Sequence, residues 1–169
     1  MENNINQKTE LKQKFFNILN DNKFKIYILL CTLIIIIAAI ITLNIIKEKK
    51  NYLIAEKYVA AGLYLKNNNN EKSKNLYEEI ILSKNKFYAI LSLNTIIEKN
   101  LISDDKTIIS YFNLLENMDL QEKKFDLITI KKALFYLKIS KKNEGINLLE
   151  KLIKKNSKFK SLAEEIIIE

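Results

Sequence analysis

The hydrophobic positions of the chain form one unbroken run and then a long, regular alternation. IYILLCTLIIIIAAIITLNII, from Ile26 to Ile46, is 21 residues without a charge. As a helix rising 1.5 Å per residue it is about 31 Å long, matching a hydrocarbon core of roughly 30 Å. Lys23, Lys25 and Tyr27 mark one end, and Lys47, Lys49 and Lys50 the other. A cleaved signal peptide has a shorter apolar region, about 7–15 residues, and a small-residue cleavage site. Here NIIKEKK follows, so the run reads as an uncleaved signal anchor.

Beyond Lys50 the apolar residues recur at spacings of three and four, the period of amphipathic helices. The segments cover 51–66, 71–83, 87–100, 104–117, 123–140, 143–154 and 158–168, separated by short polar breaks. Asn70, Asn85, Asn143 and Ser157 each precede a segment, where N-caps belong. Short loops between such helices make antiparallel neighbours. The expected fold is all-α: one transmembrane helix, then about seven helices in hairpins over residues 51–169.

Three pieces of this region resemble one another. NLYEEIILSKNKF starts at Asn75, NLLENMDLQEKKF at Asn113 and NLLEKLIKKNSKF at Asn147. Each has Glu three residues after its Asn and ends in Phe twelve residues after it. A period near 34–38 residues signals stacked helix pairs of the tetratricopeptide kind. Small residues let the two helices of a hairpin approach, and larger ones fill the gap to the next hairpin. Ala61, Tyr64, Ser73, Tyr77 and Ile80 follow that pattern, and Ala133, Tyr136, Gly145, Leu149 and Leu152 repeat it 72 residues later. The middle pair departs, with Thr95, Glu98 and Tyr111 at the corresponding places and a longer loop between its helices. The repeat is therefore tetratricopeptide-like and degenerate.

Composition narrows the chemistry. With two Gly, no Pro and no Asn-Gly turn, strands and hairpins are unlikely partners for this pattern. The chain has no His and a single cysteine, Cys31, inside the apolar run. An imidazole base, a His-ligated metal, a thiolate cluster and an intramolecular disulfide are thereby excluded. No Gly-rich phosphate loop is present either. We expect no catalytic residue, no cofactor and no metal. The net charge is +8, but all 28 basic residues are Lys. Residues 1–50 hold 8 Lys and 4 acids, and residues 51–169 hold 20 Lys and 16 acids. Half the excess thus flanks the apolar run, and no Arg is available for bidentate contacts. Nucleic acid is not an expected partner.

Five Lys precede the run and three closely follow it, which favours a cytoplasmic N-terminus and a C-terminal domain on the far side. In the tail, residues 1–25, the spacing of Leu11, Phe15, Ile18 and Leu19 predicts a short amphipathic helix at the membrane surface.

LKQKFFNIL before a single span, an Ala/Tyr-bearing helix and then FYAILSLNTIIEKNLI together resemble the YfgM-type proteins. Tyr88, Ala89, Leu91 and Leu93 match the aromatic-Ala-Leu segment of that family. NLLEKLIKKNSKFKSLAEEII resembles the later segment of the related alphaproteobacterial proteins, with Leu148, Leu149, Leu152, Ala163 and Glu164 in place. The resemblance implies a bacterial inner-membrane protein with a tetratricopeptide-like domain in the periplasm, ancillary to the Sec translocon. Its implied partners are translocon subunits, periplasmic chaperones or client chains.

A helical solenoid presents a concave face built mostly from the first helix of each hairpin. The repeat frame places Tyr58, Gly62, Ser92, Ile96, Ile130, Leu134 and Lys138 there, as a groove for a peptide or partner helix. The last helix, FKSLAEEIIIE, has no mate in the pattern, so Ile166, Ile167 and Ile168 form a second docking candidate. The expected function is a membrane-anchored protein-interaction scaffold. The alternative is an assembly factor that homo-oligomerises through its helical domain.

Overall fold

The computed structural model describes residues 22–168. Contacts divide the chain into two units, Met1–Lys50 and Asn51–Glu169. The amphipathic helix expected in the tail, with Leu11, Phe15, Ile18 and Leu19, lies outside the described residues. All elements among the described residues are α-helices. They are α1 (Lys23–Lys66), α2 (Asn70–Leu82), α3 (Tyr88–Glu98), α4 (Asp105–Glu116), α5 (Glu122–Lys138), α6 (Lys142–Lys154) and α7 (Lys160–Ile168).

The apolar run and the first segment of the second unit were expected as separate helices, but they are one continuous element. Nothing in KEKKN stops a helix. It has neither Gly nor Pro, and Lys and Glu are good helix formers. The apolar part of α1 is long and apolar enough to span a membrane. The side chains of residues 27–46, Cys31 included, are exposed in the structure.

Polar side chains start several helices, though not always the expected ones. Asn69 rather than Asn70 caps α2, its side chain accepting from the Lys72 amide at 3.2 Å. Asn85 accepts from the Phe87 and Tyr88 amides at 3.1 and 3.0 Å. Asp104 accepts from the Lys106 and Thr107 amides, and the Thr107 hydroxyl also donates to it. These donors hold the Asp104 carboxyl below its ordinary range. Ser157 accepts from the Phe159 amide at 3.1 Å. Asn143 instead lies inside the first turn of α6, which has no side-chain cap.

Helix ends are more uniform than helix starts. Asn68, Lys84, Asn100, Ser140 and Asn156 all have positive φ, between 48° and 62°. Each sits just past a helix, where a left-handed residue lets the next amide reach back to a carbonyl of the last turn. Asn69 N–H thus reaches Tyr64 O at 2.9 Å, Leu101 reaches Ile96 O at 3.0 Å, Lys141 reaches Tyr136 O at 2.8 Å and Ser157 reaches Leu152 O at 3.0 Å. Gly is the usual occupant of this position. Here Asn, Lys and Ser take it, which is how the chain turns so often with so few glycines. Only the joint after α4 lacks a left-handed residue.

These landmarks give a backbone frame for the repeat. The pairs 68/140 and 84/156 stand 72 residues apart, as do the small-residue pairs Ala61/Ala133 and Ser73/Gly145. In the first hairpin the Ser73 hydroxyl donates to the Ala61 carbonyl at 2.9 Å. In the third, a Cβ added to Gly145 would meet the Ala133 carbonyl at 3.0 Å. The two hairpins are therefore built on the same close approach of a small residue to an Ala carbonyl.

The middle hairpin, α3–α4, needs a different register from the one read in the sequence. Counting back seven residues from the left-handed positions 68, 100 and 140 aligns Leu93, not Thr95, with Ala61 and Ala133. Counting forward four from the caps Asn69, Asp104 and Lys141 aligns Ile108, not Tyr111, with Ser73 and Gly145. Phe112 and Leu115 then match Tyr77 and Ile80, and all are buried. Leu and Ile at both small sites hold α3 and α4 apart, so these helices pack less extensively than α5 and α6. Tyr111 reaches away from α3 and donates to Glu78 of α2 at 2.8 Å. Burial, followed by that bond to a carboxylate, pushes its phenol up to about 12.

The buried side chains form two clusters. One draws on α1 to α5, from Ile54 and Ala61 through Ile80, Leu93 and Phe112 to Ile128 and Phe135. The other contains Ile130, Ala133, Leu149, Leu152 and Ala163 from α5, α6 and α7. Helix α5 contributes to both.

Candidate interaction groove

A groove opens between α3 and α5, the first helices of the second and third hairpins. It encloses about 180 Å³. Ile97 of α3 and Leu134 and Phe135 of α5 form its apolar floor, and Asn94, Glu98, Lys131 and Lys138 form its rim. Leu134 is 44% exposed although it belongs to a well-packed helix. The Lys138 ammonium donates to Asn100 at 3.3 Å, which ties the rim of α5 to the end of α3.

The sequence-derived face maps onto this groove in part. Leu134 and Lys138 line it. Ile130, one turn earlier on α5, is buried in the second core cluster and is a packing residue. Ser92 and Ile96 of α3 are fully buried and cannot line a surface. Their misplacement follows from the slipped register of the middle hairpin. Two residues turn a helix by about 200°, which exchanges its inner and outer faces. In the corrected register Asn94 is the equivalent of Gly62 and Leu134, and Asn94 does line the groove. Ser92 Oγ is also the one buried side-chain atom among the described residues that has no hydrogen-bond partner.

Tyr58 and Gly62 of α1 are half-buried and belong to a separate patch. The Tyr58 ring stands 5.6 Å from that of Tyr77 and 5.4 Å from that of Tyr88. Burial, and next the Tyr58 ring beside it, raise the Tyr77 phenol above its ordinary value. Gly62 is open: an added Cβ would meet only the Tyr77 hydroxyl, at 3.8 Å. The terminal helix is less free than expected. Ala163 is fully buried, and Ile166 and Ile167 pack partly against the second cluster. Ile168, at 86%, and Leu162, at 42%, remain exposed.

Polar contacts between helices are structural in character. Lys132 is buried and donates to Asn113 and Glu116, both at 2.7 Å, pinning α5 to α4. Asp126, 2% exposed, accepts from the Ser157 hydroxyl and from Lys155, pinning α5 to the joint between α6 and α7. Among the described residues no group of three or more His, Cys, Asp or Glu is placed to hold a metal ion. A groove with an apolar floor and charges of both signs at its rim can bind an extended or helical polypeptide segment by burying two or three apolar side chains. No family model, curated protein or solved structure matches this chain.

Proposed function

We propose that the chain is a single-pass membrane scaffold whose helical unit holds a polypeptide segment in the groove between α3 and α5. The observation that carries this reading is the pairing of exposed Leu134 and half-buried Ile97 on the floor with Glu98, Lys131 and Lys138 above them. That arrangement suits a partner helix with an apolar stripe and mixed charge. The uncharged run from Ile26 to Ile46 supplies the anchor.

The repeat and the resemblance to YfgM-type proteins read in the sequence support an extension of this reading: we propose a bacterial inner-membrane location, with the N-terminus in the cytoplasm and the helical unit in the periplasm. Translocon subunits, periplasmic chaperones and emerging client chains are then the partners. A topology reporter fused after Glu169 tests the orientation. Purification of the full chain in mild detergent, with and without Leu134→Glu, tests the groove. Translocon or chaperone subunits should accompany the native chain and be lost from the variant. Recovery of neither with the native chain would sink the partner assignment.

A second reading is a homo-oligomeric assembly factor. It is favoured by exposed Leu162 and Ile168 on α7. Light scattering of the full chain in detergent separates the two, because a strict monomer at high concentration leaves only the scaffold.

A further inference from the structure

The three Lys-Phe joints of the recurring motif all lie at one end of the helical unit. Three contacts establish this. The Asn85 amide donates to Asn51 at 2.9 Å. Lys86 pairs with Asp119 at 2.8 Å, and the Asp119 carboxyl is held below its ordinary range by that lysine. Asp126, in the first turns of α5, is tied to Ser157 and Lys155. The start of the unit and the joints after α2, α4 and α6 are therefore linked side by side.

This end is unlike the opposite one. Segments 83–87, 117–126 and 154–160 carry eight Lys against three acids. At the other end, segments 66–72, 98–106 and 138–144 carry seven Lys against five acids. Exposed apolar side chains are interleaved with the lysines: Leu82 at 58%, Phe87 at 57% and Phe125 at 37%. Two recesses of about 420 and 410 Å³ flank the Lys86–Asp119 pair. Lys84 lines the first and Lys124 the second.

Asn51 follows Ile46 by five residues, which reach at most about 18 Å even when fully extended. Lysines within a Debye length of an anionic surface are attracted to it, and aromatic and Leu side chains enter the headgroup boundary. We propose that this end of the unit docks on anionic phospholipid headgroups, with Phe87 and Leu82 entering the interface and Lys84 and Lys124 facing lipid phosphates. The inference rests on the reading of Ile26–Ile46 as a membrane span.

The chain has no Trp, so Phe87→Trp gives a single reporter at the docking end. Leu63→Trp, at an exposed site twelve residues along α1 from Asn51, is the control. Both full-length variants are reconstituted in nanodiscs of phosphatidylcholine alone and of phosphatidylcholine with phosphatidylglycerol. In the anionic discs the Phe87→Trp emission should shift to shorter wavelength and resist acrylamide, and high salt should reverse both changes. The control should not respond to lipid. Adding Lys84→Gln and Lys124→Gln, which spares the Lys86–Asp119 tie, should lower the docked-to-undocked ratio about 25-fold, about fivefold per lysine. Equal emission and quenching in the two disc types overturns the proposal. Protection that is equal in both, being independent of lipid charge, also overturns it. A chain that folds but does not enter discs removes the span and the docking with it, and is told apart by its elution without lipid.

Discussion

The two glycines should respond to Ala in opposite directions, although both lie inside helices at negative φ. At Gly145 a new Cβ would lie 2.9 Å from Leu137 Cγ and Cδ2 and 3.0 Å from the Ala133 carbonyl oxygen. The Leu137 side chain can turn away, but the carbonyl belongs to the backbone of α5. Relief therefore requires α5 and α6 to separate, and overpacking of this kind costs about 1–3 kcal/mol. Ala recovers up to about 1 kcal/mol of helix propensity over Gly, which against a mid-range overpacking cost of about 2 kcal/mol leaves a net loss of about 1 kcal/mol. At Gly62 the nearest neighbour is the Tyr77 hydroxyl at 3.8 Å, an ordinary contact, so the propensity gain of about 0.5–1 kcal/mol is kept. Thermal melts of the full chain in detergent, followed by circular dichroism at 222 nm, read the difference. For a unit of this size about 1 kcal/mol moves the midpoint by roughly 4 °C. A Gly145→Ala midpoint at or above wild type, or a Gly62→Ala midpoint below it, would refute the close-approach account of the hairpins.

Lys84→Gly and Ser140→Gly should each stabilise the unit by about 0.5–1 kcal/mol and raise the midpoint by about 2–4 °C, because φ values of 56° and 62° suit Gly better than a side chain with a Cβ. Asp126→Ala should cost about 2–3 kcal/mol in chemical denaturation, since the buried Ser157 hydroxyl loses its acceptor and Lys155 its buried partner. Tyr111 carries a pH signature. Its folded phenol is pushed up to about 12 from an ordinary 10.0, so the folded state keeps a proton that the unfolded state loses. This contribution is whole below pH 10 and drains away as pH rises from 10 towards 12. Tyr111→Phe should remove that part of the alkaline fall in midpoint, and an unchanged alkaline slope would count against the Glu78 bond.

The helical segments beyond Lys50 and most of the breaks between them were legible because the apolar period of three and four is strong in every segment. Asn68, Asn100 and Asn156 were also legible in principle as helix ends, since Asn tolerates the left-handed conformation. Lys84 and Ser140 carry no such signal, and their conformation is imposed by the packing of the helices they join. The continuity of α1 was missed because a charged cluster was taken for a break, whereas Lys and Glu sustain a helix as well as Leu does. The middle hairpin was read two residues out because Leu93 and Ile108 offer no small residue to anchor the frame. Half of the groove was lost through the same slip: Leu134 and Lys138 were found on α5, while Asn94 and Ile97 on α3 were not. No periodicity argument separates Ile130 from Leu134. Their difference depends on how closely α6 and α7 cover α5.

Helix α5 is the one element whose side chains enter both core clusters, Ile128 and Phe135 in one, Ile130 and Ala133 in the other. Cooperativity along the unit must therefore pass through a single helix. Loosening α6 and α7 uncovers Ile130 and Ala133 of α5, while α1, α2 and α3 keep their own contacts and can persist as a partly folded unit. An occupant of the α3–α5 groove would grip this helix from its exposed side. It would thereby stabilise the member on which the mutual support of the two halves depends, and the two cores would melt closer together when the groove is filled.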